Sequence, residues 1–337
     1  MRATNWLGDA VMSLPALRAI RHIFPHAHIA VVARPSVAEL YDRESCIDEV
    51  IPYSARGFSS RRAFAAGLRT HRFDCALLLQ NAFDAALMTW MAGIPERIGY
   101  SRDARRWLLT RAIPVPEPGE IPRHERFYYL ELLRRAGLME HFPETSAIRL
   151  DAIPAARKAG LRRLAEWGIA GPVIGISPGA AYGSAKRWLP ERFAETARTL
   201  SGPVLVFGAR SERELCARVA AESNGRNLAG ETSLREFIEL ASACRLFLTN
   251  DSGAMHVASA LGVPTVAVFG ATDDTTTGPT GPTARVVRAH AECSPCLLRE
   301  CPIDHRCMTR VTAAQVAAAA FQVWEECVPE WTHETKS

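Results

Sequence analysis

Lysine is nearly missing from this chain. Of the 40 basic residues only Lys158, Lys186 and Lys336 are lysines, and the rest are arginine. A lysine inside a motif therefore stands out. Apolar runs long enough to cross a bilayer, about 18 residues or more, are also lacking. The first residues, Met1 to Asp9, are polar and turn quickly into a loop, so no signal peptide is expected and the protein is read as cytoplasmic. The formal charge of +4 is modest and no nucleic-acid-binding motif is present, so a nucleic-acid partner is not expected. Cys46, Cys75, Cys216, Cys244 and Cys327 stand singly in apolar surroundings. They read as small core residues in a reducing compartment.

What is present is a length of 337 residues, 48% of them hydrophobic, enough for two domains each with its own core. Strand and helix patterns alternate throughout. In the first half strands are expected at His28 to Ala33, Glu49 to Tyr53 and Phe73 to Leu79. Helices are expected at Val11 to Phe24, Ser59 to Thr70, Asp84 to Ala92 and Pro122 to Gly137. After Pro143 and Pro154, with a helix at Ala155 to Trp167, a second series opens. Its strands are Val173 to Ser177, Val204 to Phe207, Leu246 to Thr249 and Thr265 to Phe269. Such alternation argues for parallel sheets with helices on both faces. Two doubly wound α/β domains with a cleft between them follow, divided near residues 150 to 172. Only Met1 to Thr4 precede the first loop, too few for a normal buried strand. Either that strand is stunted or the chain's true start lies upstream.

The polar residues gather where the strands end. Leu246 to Asn250 runs into Asp251-Ser252-Gly253, and a small-residue helix begins at once. A helix N-terminus exposes unpaired N–H groups and the positive end of its dipole, which suits a phosphate. The ordinary alternative is a simple helix cap. Ile176-Ser177 enters Pro178-Gly179-Ala180, small enough for a ligand to approach the backbone, with Lys186 and Arg187 beyond. That cationic pair suits a diphosphate leaving group; otherwise it is a solvated pair ahead of a helix. Gly208-Ala209-Arg210-Ser211-Glu212 ends a third strand and offers a carboxylate to ribose hydroxyls, or a cap. Asp9 follows Gly8 ahead of a helix. It is placed either to cap it or to take a proton from a sugar hydroxyl.

Together and in this order, these loops resemble glycosyltransferase family 9, the heptosyltransferases. The residues that carry the resemblance are Asn5-Trp6-Leu7-Gly8-Asp9-Ala10-Val11-Met12-Ser13-Leu14-Pro15, Ser177 to Ala180 with Lys186 to Pro190, Asn250 to Ala258, and Phe269-Gly270-Ala271-Thr272-Asp273. The Asn-Trp-Leu-Gly-Asp opening and the cysteine-bearing tail look most like the type II members. The resemblance implies a GT-B architecture, two Rossmann-like domains facing a cleft. Residues 1–155 would bind the acceptor and 156–311 the donor, with 312–337 a final helix and tail returning to the first domain. It implies inverting transfer of L-glycero-D-manno-heptose from ADP-heptose to the heptose of the lipopolysaccharide inner core. By motif match Asp9 is the catalytic base and Lys186 contacts the donor phosphates. Asp251 holds heptose hydroxyls, while Gly179, Ala180, Ser252, Gly253 and His256 line the donor site. Glu212 approaches the ribose and Thr232 the adenine. No Asp-x-Asp motif lies in the expected donor loops, so no cofactor is required and dependence on a divalent metal is not expected. The pair Asp273-Asp274 adjoins a threonine loop and is not taken as a metal site.

The acceptor so implied is anionic, and the first domain carries Arg56, Arg61, Arg62, Arg69, Arg72, Arg102, Arg105 and Arg106. Arginine forks suit phosphate, and Arg61 and Arg62 are the residues expected to bind acceptor. The same cluster would also hold the enzyme against the anionic cytoplasmic face of the inner membrane. Cys293, Cys296, Cys301 and Cys307, with His290 and His305 nearby, have spacings a metal site would use, but are read as reduced thiols folding a loop near the cleft. Two alternatives stand beside the main reading. One is a type I heptosyltransferase or another GT-B transferase with a different acceptor. The other is a nucleotide-binding or redox module built on the cysteines, against which Asp9 and Lys186 argue, since a binding module needs no base.

Overall fold

The structure, a computed structural model, describes residues 1–144 and 147–331. It divides into two compact units, Met1–Thr145 and Ser146–Ser337.

In the first unit β1 (Ala30–Ala33) pairs in parallel with β2 (Glu49–Pro52). A second parallel set comprises β3 (Cys75–Leu78), β4 (Glu96–Tyr100) and β5 (Arg111–Ile113). Residues 1–4 join the two sets, because Arg2 bridges Val32 on one side and Leu78 on the other. The Arg2 N–H donates to Leu77 O at 2.8 Å, Ala3 N–H to Val32 O at 3.0 Å, and Leu79 N–H to Arg2 O at 3.1 Å. The segment too short to read as a strand is thus the centre of the sheet. The Arg2 side chain is buried beside it, and desolvation draws its pKa down to about 10. Its Nη2 donates to Asn5 Oδ1 at 2.8 Å, which anchors the loop that follows. The single helix expected at Val11 to Phe24 is two, Leu7–Met12 and Leu14–Ile23. They part at Ser13, whose hydroxyl donates to the Ala10 carbonyl at 2.8 Å. Asp9 therefore lies in the first turn of a helix rather than in a loop ahead of one.

The second unit has one parallel sheet, β6 (Ile174–Ser177), β7 (Val204–Val206), β8 (Arg226–Asn227), β9 (Leu246–Asn250), β10 (Thr265–Phe269) and β11 (Ala284–Arg288). The order across it is β11-β10-β9-β6-β7-β8. Every residue of β9 and β10 is buried, as expected for central parallel strands covered on both faces. Ile174, Ile176, Val204, Val206, Leu246, Leu248, Val266 and Val268 share one core cluster. On the opposite face Gly175 lies against Phe247, whose ring carbon would be 2.5 Å from any Cβ added there.

Two boundaries differ from the sequence reading. The division falls at 145/146 rather than 155, because Leu150 N–H donates to Ala260 O at 2.9 Å and Ile148 N–H to Thr280 Oγ1 at 2.9 Å. The helix Ala313–Trp331, expected to return to the first domain, packs on helix Pro190–Leu200 and on β10 and β11. There Val316, Ala320 and Val323 join Trp188 and Phe193 in the sheet's core cluster, so apolar burial keeps the helix on the second unit. Residues 332–337 of the expected tail lie outside the described residues. Of the single cysteines, Cys75 departs from expectation: it is exposed at the first position of β3, while Cys46, Cys216, Cys244 and Cys327 are buried.

Helix Ile153–Glu166 packs closely on helix Leu234–Ala243 through Gly160. A Cβ at Gly160 would stand 2.0 Å from the Glu239 carbonyl oxygen. Alanine is the better helix former by about 1 kcal/mol, but this clash is with backbone and costs about 1–3 kcal/mol or more. Gly160→Ala is therefore expected to lower stability in urea titrations, against its helix propensity. Equal or greater stability would show that the two helices separate freely.

Candidate active site

Both sheets turn back on themselves at one point. In the second unit the chain runs β6-β7-β8 to one side and resumes at β9 on the other, so the order reverses between β6 and β9. The crevice outside the carboxyl ends at such a point is where open α/β sheets hold ligands. The loops found there are Pro178-Gly179-Ala180 after β6 and Asp251-Ser252-Gly253 after β9. In the first unit the same reversal occurs at residues 1–4, between β1 and β3, and the loop that leaves it leads to Asp9.

The second site is tied together by side chains. Lys186 Nζ lies 2.6 Å from Asp251 Oδ2, with both side chains largely withdrawn from solvent, 13% and 5% exposed. Thr272 Oγ1, from the loop after β10, donates to the same oxygen at 2.6 Å. Asn250 is fully buried; its Nδ2 donates to Pro178 O at 2.7 Å and its Oδ1 accepts the Trp188 N–H at 2.9 Å. One side chain thus clips both ends of the loop that bears Lys186. The Lys186 ammonium also stands 4.8 Å from the centre of the Tyr182 ring, a cation–π contact that Arg299 shares at 5.3 Å. Lysine has three donors, so holding Asp251 leaves donors for a phosphate.

Ser252 is the N-cap of helix Gly253–Ala260, and His256 is buried within that helix. Glu212 Oε2 accepts the Ala209 N–H at 2.9 Å, and Oε1 lies 3.8 Å from Arg187 Nη2. A Cβ at Gly179 would fall 2.1 Å from that carboxylate, so the glycine makes room for Glu212. Thr232 lies two residues beyond Gly230, whose N–H donates to Gly208 O at 3.0 Å. Asp273 and Asp274 have other work. Asp273 Oδ1 accepts from the Thr275 N–H at 2.9 Å, and Asp274 Oδ1 meets Arg288 Nη1 at 2.5 Å.

The cysteine loop leans on this site. Arg299 O accepts the Ala185 N–H at 2.9 Å, and His305 Nε2 lies 3.0 Å from Ala185 O. Ser294 Oγ donates to Gly270 O at 2.6 Å, and Tyr182 Oη to Leu297 O at 2.8 Å. Cys293, Cys296, Cys301 and Cys307 carry free thiols. Burial, and then the neighbouring thiols, push the Cys307 thiol up. Among the described residues, no group of three or more His, Cys, Asp or Glu side chains is arranged to hold a metal ion.

In the first unit Arg61 Nε pairs with Asp84 Oδ1 at 2.5 Å, and Tyr53 Oη donates to the other oxygen at 2.7 Å. Arg62, one residue on, is exposed. Arg105 leaves the expected anion-binding cluster. It is fully buried, and its guanidinium donates to Tyr100 O at 3.0 Å and Asn81 Oδ1 at 2.9 Å. Glu125, which the sequence reading passed over, lies half-buried within the electrostatic reach of Asp9. Burial, reinforced by the charge of Asp9, pushes the Glu125 carboxyl up to about 7, against the pull of Arg102.

Two Rossmann-type units, with a phosphate-suited helix start at the second unit's reversal point, are the parts of a GT-B architecture. The chain belongs to glycosyltransferase family 9 (heptosyltransferase), whose profile matches residues 61–306. It is 33% identical over 300 residues to lipopolysaccharide heptosyltransferase 2 of Escherichia coli K12, covering 84% of this chain and 86% of that one. The solved structure of E. coli ADP-heptose LPS heptosyltransferase II superimposes with a TM-score of 0.82 at 28% identity, covering 96% of this chain and 98% of that one. Lipopolysaccharide heptosyltransferase 1 of Pseudomonas aeruginosa is 26% identical, covering 88% of this chain and 85% of that one. The protein is an enzyme of the heptosyltransferase type.

The Glu125 shift has a stability consequence. Its folded pKa, about 7, lies above the unfolded value near 4.3. Its contribution to stability is then complete below about pH 4.3 and is lost as pH rises through the folded value. Glu125→Gln is expected to match the parent in acid and to be the more stable of the two at pH 8. Urea midpoints that fall in parallel with pH for both proteins would contradict this.

Proposed function

We propose that this protein transfers L-glycero-D-manno-heptose from ADP-heptose to the heptose of the lipopolysaccharide inner core. The observation that carries the reading is the Lys186–Asp251 pair at the β6/β9 reversal, within a chain 33% identical to a heptosyltransferase 2 along most of its length. The higher identity to that type than to the type 1 relative, 33% against 26%, favours a heptose over an unheptosylated acceptor.

In this reading Asp9 takes the proton of the acceptor hydroxyl as its oxygen attacks the anomeric carbon. The bond from that carbon to the ADP oxygen breaks in an oxocarbenium-like transition state, inverting the centre. ADP leaves as an anion, and the charge growing on it is offset by Lys186 and by the N–H groups at the start of helix Gly253–Ala260. Asp251 accepts from heptose hydroxyls. Gly179, Ala180, Ser252 and His256 line the donor site, Glu212 approaches the ribose and Thr232 the adenine. No divalent cation is assigned a part; the adjacent carboxylates of Asp273 and Asp274 are committed to a helix cap and to Arg288. The reading places the enzyme in the cytoplasm, with exposed arginines of the first unit resting on the anionic leaflet. Among the described residues no helix is long and apolar enough to cross a membrane.

The test is transfer from ADP-heptose to inner-core acceptors bearing no heptose, one or two. Product is expected with the singly heptosylated acceptor, and product with the unheptosylated one alone would favour the type I alternative. Asp9→Asn should leave ADP-heptose affinity near the parent's while turnover drops by roughly a hundredfold or more. Undiminished turnover would remove Asp9 from the role of base.

Arg61 and Arg62 are assigned to the acceptor's phosphates, with Asp84 fixing Arg61 in place. The double variant Arg61→Gln/Arg62→Gln should raise the acceptor KM and leave the ADP-heptose KM unchanged, an effect that fades with salt because exposed charges are screened beyond about 8 Å at physiological ionic strength. A dephosphorylated acceptor should erase the difference. Loss of donor affinity instead would overturn the assignment.

A further inference from the structure

The loop Phe269-Gly270-Ala271-Thr272-Asp273 is part of the pattern shared with the family, yet neither the sequence reading nor the proposed mechanism gives it a task. The structure supplies one. Thr272 is buried, 8% exposed, and its hydroxyl donates to Asp251 Oδ2 at 2.6 Å. Lys186 reaches the same oxygen at 2.6 Å. Among the described residues, both donors that reach this carboxylate therefore fall on Oδ2, and together they fix the rotation of the carboxylate plane.

We propose that Thr272 is a positioning residue for donor-sugar recognition. By holding Asp251 Oδ2 beside Lys186, it reserves Oδ1 to accept hydroxyl protons of the glycosyl group being transferred. The inference rests on the proposed role of Asp251 toward the donor sugar. A carboxylate held by one long flexible lysine alone would rotate, since the ammonium is a point charge that accepts many approach angles. The threonine hydroxyl adds a second, directional constraint from a different strand end. Its β-branched side chain, stiff about χ1, is suited to that task. The loop that presents Thr272 is itself held from outside. Ser294 Oγ donates to Gly270 O at 2.6 Å, Leu297 N–H donates to Ala271 O at 2.8 Å, and Asp273 caps the short helix Asp274–Thr277. The cysteine-bearing segment therefore fixes the residues just ahead of Thr272, as well as the backbone of Ala185 next to Lys186.

The experiment compares Thr272→Val, Thr272→Ala and Thr272→Ser with the parent, measuring donor and acceptor KM, kcat, and ADP affinity by calorimetry. Removing a hydrogen bond to a charged group should raise the ADP-heptose KM or lower kcat by about tenfold or more in the valine and alanine variants. Acceptor KM and ADP affinity should stay within about twofold, because neither involves the sugar contact. Serine, which keeps the hydroxyl, should restore most of the loss. Three results would overturn the proposal: valine and alanine variants as active as the parent, a serine variant as impaired as valine, or ADP binding lost in step with ADP-heptose. Loss of the folded state in both valine and alanine variants would overturn it too, since Thr272 would then be a structural residue. A parent inactive with ADP-heptose would instead reject the function proposed above, and calorimetry with ADP would still report on the site.

Discussion

The second unit's site depends on one costly object, a lysine and an aspartate brought together largely out of water. Removing two charges from solvent costs several kcal/mol per ion, and attraction repays it only where geometry is good and the remaining lone pairs are filled. Here Lys186 and Asp251 come from loops 65 residues apart in sequence. Their meeting is imposed by neighbours. Asn250 fixes the Lys186 loop at Pro178 and Trp188, the Trp188 ring is buried in the sheet's core, and Thr272 closes the third side. The site's order is thus inherited from apolar packing beneath it.

Both units reach the same solution from different sequence. Each sheet runs outward from a central strand in one direction and then in the other, so each has one reversal point where two strand ends diverge. In the second unit the central strands are long, apolar and fully buried. In the first the centre is residues 1–4, paired on both sides through Arg2. Residues 1–4 are held there because β1 and β3 supply the ladder on both edges, and because the buried Arg2 guanidinium finds Asn5 Oδ1 as a partner.

Much of this was legible in the residues. The runs Leu246 to Leu248 and Val266 to Phe269 are continuous and apolar, and they lie in strands buried at every residue. The strands that escaped notice, Glu96–Tyr100, Arg111–Ile113, Arg226–Asn227 and Ala284–Arg288, carry arginines. Their backbones pair with the neighbouring strands of the sheet, beyond an intervening helix or loop, a gain no local window contains. Loop residues with chemistry were visible because they follow strand ends. Their mutual contacts were not: nothing in the spacing of Lys186, Asp251 and Thr272 says that all three share one oxygen. Glu125 was hidden for a related reason. Its local context is an ordinary helix start, and its altered acidity arises from burial and from Asp9, far away in sequence. The reading of Arg105 failed in the opposite direction. An arginine in an arginine-rich stretch looks solvated, and only the fold reveals the carbonyls that it serves.

The close approach of Gly179 to the Glu212 carboxylate carries a historical consequence. Two positions that share one small volume cannot drift independently. A larger residue at 179 is admissible only after 212 has shortened or turned away, and a shortened 212 leaves a gap that favours such a change. Chains in which one of the two positions has changed are therefore expected to carry a compensating change at the other. The carboxylate is the mobile end of the Glu212 side chain, so the cost of the crowding is set by how readily it turns away from its bond to the Ala209 N–H.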